Sequence, residues 1–317
     1  MKFGVMLPHT GNNASAGAIR DVAQAAEELG FASLWASDHI AMPRRYEPKY
    51  PFSEDGRFPM PEDRPFLDFF QSLAFAAAVT KHVQLGVSVC IVPYRHPALL
   101  AKSVATLHTL AEGRLLFGVG IGWLKEEFAL LGAPFHRRGR LTDESLEFCL
   151  RAWSPDQPVT FQGEFVTAEE VYFSPRPFED RPVTVWVGGT SDAALRRAAR
   201  FASVWQPHLY GADPERIRRN LARIDELKAQ RGQGERVRGA LYLPIALVDS
   251  DPGDASPPWE RRMLTGTPAG LRDALSIWAD AGIEHVLFAF GGTTGAKLAT
   301  METLMREVCP DLGPVAS

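Results

Sequence analysis

Cysteine is scarce in this chain of 317 residues: Cys90, Cys149 and Cys309 are an odd number without CxxC spacing, and the first two sit in apolar segments. That argues against a disulfide framework or a zinc knuckle and fits a reducing compartment. Charge of one sign is also lacking. Lys and Arg number 34 against 38 Asp and Glu, for a net charge of -4 without a long basic run. Nothing therefore recruits nucleic acid or anionic lipid electrostatically. No apolar stretch approaches about 18 residues, and MKFGVMLPHTG carries only a short apolar run before Pro8. Neither a membrane span nor a signal peptide is expected, and the chain is predicted to be cytoplasmic. His82, His96, His108, His136, His208 and His285 show no HExxH or comparable spacing, so no metal site is predicted. What is present is ordinary globular usage, 45% hydrophobic and 23% charged, with 24 Pro and 27 Gly spread along the chain, enough for a sizeable core.

Short β-branched runs alternate with longer helical patterns. The strand candidates are 3–7, 33–36, 83–90, 115–119, 183–187, 203–206, 240–248 and 286–290. Between and after them lie helical patterns at 16–29, 66–80, 97–110, 141–153, 191–201, 214–231, 268–281 and 296–308. Eight βα units predict an α/β fold of the TIM (β/α)8 barrel type rather than an open doubly wound sheet, which carries a glycine fingerprint after its first strand. PHTGNN, after the first strand here, has none. Without repeat or linker, residues 1–317 are expected to form a single barrel domain. An ideal barrel takes about 250 residues, so roughly 65 belong to extensions. One insertion follows strand two, at 40–64. The other, at 154–181 between helix four and strand five, contains two short alternating runs that read as a hairpin. Both are expected near the C-terminal face, where barrels build their sites.

Four segments can carry chemistry. FASLWASDH closes strand two with polar groups, and Asp38 beside His39 is either a hydrogen-bonded acid/base pair or a loop-start cap. GVGIGW, 118–123, closes strand four with glycines at alternate positions. They either let a planar ligand lie against the backbone, with Trp123 as a wall, or make a tight turn. The spacing is GxGxG, not the dinucleotide GxGxxG, and Asp143 does not rescue that reading. WVGGTSDAALRRAAR places Gly188, Gly189 and Thr190 before a helix, either a phosphate cradle or a well-capped start. Ser88, in an apolar strand, is a core hydroxyl or a ligand contact. HRRGR, 136–140, reads as a solvated face, and Arg261 and Arg262 as exposed or as meeting an anionic substrate.

In this order, MKFGVMLP, SLWASDH, LGVSVCIVPYRHP, LLFGVGIGW followed by EEF, RRGRLTDESLE and PVTVWVGGTSDAALRRAAR resemble the bacterial luciferase-like monooxygenase superfamily over nearly the whole chain. The resemblance implies a TIM barrel with extra loops, commonly a homodimer, holding FMN or coenzyme F-420 non-covalently. SDH with a GVGxGW turn is more similar to the branch using coenzyme F-420, so the deazaflavin is the expected cofactor and FMN the alternative. On that likeness Asp38 and His39 meet the reactive ring or substrate, and Ser88 with Val89 matches a position carrying a non-proline cis peptide. Ile121, Gly122 and Trp123 match contacts to the ring, and Gly188, Gly189 and Thr190 the phosphate end. Sugar-phosphate dehydrogenases of the family carry Glu where Trp123 stands, a departure from that activity. The implied reaction is hydride transfer between the deazaflavin and a small organic substrate, with His39 as acid/base. With FMN the enzyme would be a monooxygenase using oxygen. A non-catalytic flavin-binding barrel is the remaining reading. A metal-free isomerase or aldolase should offer a Lys or paired carboxylates at strand ends, and the sequence has none there.

Overall fold

Every strand expected from the sequence is present and parallel to its neighbours in the barrel. The computed structural model describes residues 1–312 apart from 48, 54, 251, 252, 254, 255 and 311. The chain runs β1 (Lys2–Met6), α1 (Ala16–Glu28), β2 (Ser33–Ala36), α2 (Phe69–Ala78), β3 (Gln84–Ile91), α3 (Pro97–Leu110), β4 (Leu115–Gly120), α4 (Lys125–Leu130) and α5 (Arg138–Trp153). It continues with β5 (Val159–Gln162), β6 (Thr167–Val171), β7 (Thr184–Gly188), α6 (Asp192–Phe201), β8 (Val204–Gln206), α7 (Pro214–Ala229) and β9 (Arg238–Leu247). Last come β10 (Leu264–Gly266), α8 (Pro268–Asp280), β11 (Ile283–Ala289) and α9 (Thr294–Thr303). The order β1-β2-β3-β4-β7-β8-β9-β11 closes through β11 and β1, giving the eight-stranded parallel barrel with helices outside.

Alternation along each strand divides two cores. Leu34, Phe117, Val187, Trp205, Leu241 and Phe288 point outward and pack under the helices. Their neighbours Trp35, Leu116, Trp186, Val204, Ala240 and Leu287 fill the barrel interior. Trp35 is admitted because β3 offers Gly86 beside it: a Cβ there would stand 2.3 Å from the indole ring. Helix starts follow from short polar caps. Ser15, Asp68, Ser191, Asp213, Thr267 and Thr293 each accept a first-turn N–H, which sets where α1, α2, α6, α7, α8 and α9 begin. The pattern expected at 66–80 is accordingly shortened to start after Asp68.

Four features depart from the sequence reading. Helix α4 and the short strand β10, paired to the end of β9, were not expected. The last helix ends at Thr303 and passes into a π-helical turn at Leu304–Val308. The β5–β6 hairpin leaves the C-terminal end of α5, so its connection starts at the N-terminal face of the barrel, not the C-terminal one. It then climbs along α5, where Glu144 accepts N–H bonds from Glu164, Phe165 and Val166. Only the insertion after β2 belongs to the C-terminal mouth. No helix among the described residues is long and apolar enough to cross a membrane.

Candidate active site

Because all barrel strands are parallel, Asp38, His39, Ser88, Gly122, Trp123, Gly188 and Gly189 converge on one mouth. Asp38 and His39 turn to different partners there. The Asp38 carboxylate is buried and accepts from Arg95 Nη1 at 2.6 Å and Nη2 at 2.9 Å, and from the Ile91 N–H at 2.9 Å. Burial raises its carboxyl above the ordinary range, against the pull of Arg95. Arg95, itself stacked over Phe69 and Phe70, is pulled down by burial but raised overall by its bond to Asp38 together with the nearby Cys90, Asp38 and Asp68. Asp38 therefore ties the end of β2 to the end of β3, and its oxygens are occupied away from the open mouth.

His39 has the opposite arrangement. Its Nδ1 lies 2.8 Å from Glu127 Oε2, and its side chain is 8% exposed. Among the described residues Nε2 has no hydrogen-bond partner. Phe58, Phe66 and Trp123 surround the ring, with centroids at 5.1, 5.6 and 6.2 Å. Glu127 also accepts from Tyr94 Oη at 2.6 Å and from the N–H groups of Ile40 and Ala41. Burial alone would raise its carboxyl, but the hydrogen bond and charge of His39, followed by the Tyr94 hydroxyl and the Ala41 N–H, hold it below the ordinary value. An ionised carboxylate only accepts, so it fixes the proton of neutral His39 on Nδ1 and leaves Nε2 as the free base. Glu127 is the residue that sequence reasoning missed. The signal was EEF after the glycine turn, but only a folded α4, anchored by Phe128 against Tyr94 and Phe135, shows which Glu turns inward.

The insertion after β2 roofs this mouth with aromatic rings. Phe58 stacks on Trp123, Tyr50 meets both, and Phe52 stacks on His208 at 4.4 Å. Arg262, considered as a substrate contact from sequence, instead pairs with Asp55 of the insertion at 3.0 Å. Arg261 hydrogen-bonds the Ser256 carbonyl. Burial lowers His208 to about 3 and pushes Tyr242 up to about 12, so both are neutral donors at the side of the mouth opposite His39.

The peptide between Ser88 and Val89 is cis, as the resemblance implied. The register of β3 against β4 shifts there, and the Val89 side chain lies over β4 and β7. A Cβ at Gly120 would stand 2.5 Å from Val89 Cγ2, and one at Gly188 would stand 3.2 Å from Cγ1. The glycines of GVGIGW thus admit Val89 and, at Gly122, Ile91 and Phe128, in addition to shaping the turn that launches α4. Ser88 Oγ accepts from Gln206 Nε2 at 2.6 Å, and the buried Gln206 Oε1 has no partner among the described residues. Thr190 and Gly188 are half-buried, the Gly189 carbonyl accepts from Trp205 Nε1, and Ser191 caps α6. Ile121 is half-buried before the turn. The HRRGR segment is not wholly a solvated face. Arg138 is half-buried and donates to the carbonyls of Gly122 and Phe135, without a carboxylate partner among the described residues.

The sequence profile of the family described as luciferase-like monooxygenase matches residues 1–256. The chain belongs to that family. An uncharacterized protein of Mycobacterium tuberculosis is 36% identical over 212 residues, 67% of this chain and 72% of its own. An F-420-dependent glucose-6-phosphate dehydrogenase of Kineococcus radiotolerans is 35% identical, covering 94% of each chain. Among solved structures, the monooxygenase RslO1 from Streptomyces bottropensis superposes with a TM-score of 0.79 at 22% identity, over 99% of this chain and 100% of that one. The oxygenating constituent of 3,6-diketocamphane monooxygenase from Pseudomonas putida, in complex with FMN, superposes at 0.76 and 16% identity, over 99% of each. These structures share the fold. The family is one of oxidoreductases whose members use a deazaflavin or a flavin.

Proposed function

We propose that this chain is a coenzyme F-420-dependent oxidoreductase that moves a hydride between the deazaflavin and a carbon of a small organic substrate. The observation that carries the reading is the His39 ring held by Glu127, with Nε2 free inside a wall of Phe58, Phe66 and Trp123. The relative from Kineococcus supports the deazaflavin over FMN. The mouth suits a flat ring with polar edges. It offers aromatic faces, a buried carbonyl at Gln206 without a partner among the described residues, and half-buried backbone at Ile121 and Gly122. Ser88, Val89, Ile121, Gly122 and Trp123 would hold the ring. Gly188, Gly189 and Thr190, with the uncompensated guanidinium of Arg138, would hold an anionic tail.

When bound, the deazaflavin supplies a two-electron hydride acceptor or donor. His39 Nε2 takes the proton from the substrate oxygen on oxidation or returns it on reduction. Glu127 keeps the imidazole oriented and stabilises its protonated form. His39 itself, with the Tyr94 hydroxyl and the Ala41 N–H, favours the ionised form of Glu127. The aromatic insertion keeps water from the reacting atoms. Asp38 acts at one remove, by holding Arg95 and the end of β3. On the same reading the protein works as a cytoplasmic homodimer, with residues 1–317 as one domain.

The test is absorbance titration with coenzyme F-420 and with FMN, followed by anaerobic single turnovers on a panel of secondary alcohols and conjugated ketones. Micromolar binding of F-420, with hydride transfer that needs no oxygen, is expected. Preferential FMN binding with oxygen consumption would overturn the reading in favour of a flavin monooxygenase. Cofactor binding without turnover of any substrate would favour a non-catalytic flavin-binding barrel.

A further inference from the structure

A cavity of about 500 Å³ opens at the N-terminal mouth of the barrel, at the opposite strand ends from His39. Its lining includes Lys2, Arg238, His285, Trp186, Leu116 and Ile283, from the starts of five different strands. TIM barrels build their reaction sites at the other face, so this end needs no opening for the chemistry proposed above. Two of its cations stand without a partner among the described residues. Lys2 and Arg238 are exposed at the rim and form no ion pair among the described residues. Glu284, the acid at this mouth, is already paired with Arg236.

His285, which lines the cavity, is held from behind by a buried pair of side chains. Ser33 Oγ accepts the Trp35 indole N–H at 2.7 Å and lies 2.7 Å from His285 Nε2. If the Ser33 hydroxyl donates to Nε2, the buried triad is fully satisfied. If Nε2 carried the proton instead, the hydroxyl hydrogen would be left without an acceptor among the described residues. The satisfied arrangement puts the His285 proton on Nδ1, which has no partner among the described residues. Burial and the nearby charges of Lys2 and Arg238 keep His285 neutral, with a pKa lowered to about 3. Beside it the Trp186 indole N–H is buried, also without an acceptor among the described residues, with its ring 5.1 Å from His285.

We propose that this cavity is a binding site for a small organic anion with a flat apolar body, an aromatic carboxylate in the first instance. The carboxylate would meet Lys2, Arg238 and the His285 Nδ1–H, and the apolar body would lie against Trp186, Leu116 and Ile283. Two cations with a neutral donor choose an anion, and the apolar side chains of Trp186, Leu116 and Ile283 beside them choose one that carries carbon.

The experiment is a titration of the full ¹⁵N-labelled chain with sodium benzoate, followed through the indole N–H resonances, with that of Trp186 assigned from a Trp186→Phe spectrum. Saturable movement of the Trp186 signal at millimolar benzoate or below is expected. Benzamide, the uncharged isostere, and inorganic phosphate, an anion without the apolar body, should bind at least several-fold more weakly. The Lys2→Gln/Arg238→Gln double variant changes only exposed side chains and should weaken benzoate roughly tenfold. His39→Ala should leave the titration unchanged. The proposal is overturned if the Trp186 signal does not move, if benzamide binds as well as benzoate, or if the double variant binds benzoate normally. It is also overturned if His39→Ala abolishes the response, which would put the benzoate at the other mouth. None of these outcomes depends on which cofactor the C-terminal mouth takes.

Discussion

His39 Nδ1 and Glu127 Oε2 lie 2.8 Å apart although 88 residues separate them, and both side chains are removed from solvent. The pair exists because the end of β2 and the helix after β4 reach the same mouth from two positions along the sheet. Replacing His39 with Ala should slow the chemical step by roughly 10²- to 10⁴-fold, the usual share of acid/base catalysis. Glu127→Gln preserves shape but removes the charge and leaves a donating amide in place of one acceptor oxygen, and should cost a large part of the same factor. Since the two act as one unit, adding Glu127→Gln to His39→Ala should cost little more. Single-turnover rates of the two single variants and the double variant decide this, with cofactor affinity measured beside them. Additive losses would mean that Glu127 acts independently of His39.

The Asp38–Arg95 pair is a stability feature on this geometry. A buried ion pair that loses one partner leaves an uncompensated charge, and the expected cost is about 3–5 kcal/mol. Asp38→Ala and Arg95→Ala should each lower the denaturation midpoint strongly, whereas Asp38→Leu/Arg95→Met should lose far less than their sum. Urea unfolding of the four proteins checks it. A near-additive cycle would show that the charges do not depend on one another.

The barrel was legible because each strand carries outward apolar residues in a period of two, separated by helices with short polar caps. Phe117 between Leu116 and Gly118 reads this way from sequence alone. The site was legible only in part. His39 and Trp123 stand at strand ends, and that position made them visible. Glu127 was not, since KEEFAL is a six-residue helix with two adjacent acids, and its inward turn depends on N–H groups of Ile40 and Ala41, far away in sequence. Asp38 read as facing the pocket for the mirror reason: Arg95, 57 residues on, claims its oxygens only after folding. The glycines of GVGIGW read as ligand clearance because Val89, which fills part of that space, belongs to the neighbouring strand.

Acid should destabilise this protein well before its carboxylates titrate. His9 donates from Nδ1 to the Leu7 carbonyl and accepts the Ser37 N–H on Nε2, and burial lowers its pKa from 6.5 to about 4. His208 and His285 are lowered to about 3. With native pKa values below those of the unfolded chain, the unfolded state binds protons first as pH falls. Stability is therefore intact above about pH 6.5 and declines toward pH 4, by up to about 3 kcal/mol for His9. Asp38, whose pKa is raised by burial, works against this trend, and Glu127, whose pKa is lowered, adds to it only at lower pH. Denaturant midpoints at pH 7.5, 6 and 5 should fall in that order. His208→Phe, which keeps a ring between Phe52 and Tyr242, should flatten the slope by about a third. A midpoint constant from pH 7.5 to 5 would refute the assignment.

Packing of Val89 over β4 gives two neighbouring glycines different fates. A Cβ at Gly120 would stand 2.5 Å from Val89 Cγ2, a side-chain atom, whereas one at Gly118 would stand 2.1 Å from the Val87 backbone carbonyl oxygen. Gly120→Ala should therefore cost about 1–3 kcal/mol through overpacking. Val89→Ala alone should cost about 1–2 kcal/mol for the methyl groups it removes. Combined, they should cost clearly less than the sum, by about 1 kcal/mol or more, because the truncated side chain vacates the space the new methyl needs. Gly118→Ala should be more destabilising, and Val89→Ala should not relieve it, since a strand carbonyl cannot step aside without breaking the ladder to β4. Thermal unfolding of the five variants separates the cases. Rescue of Gly118→Ala by Val89→Ala, or additivity at Gly120, would show that Val89 does not set the size limit at this strand end.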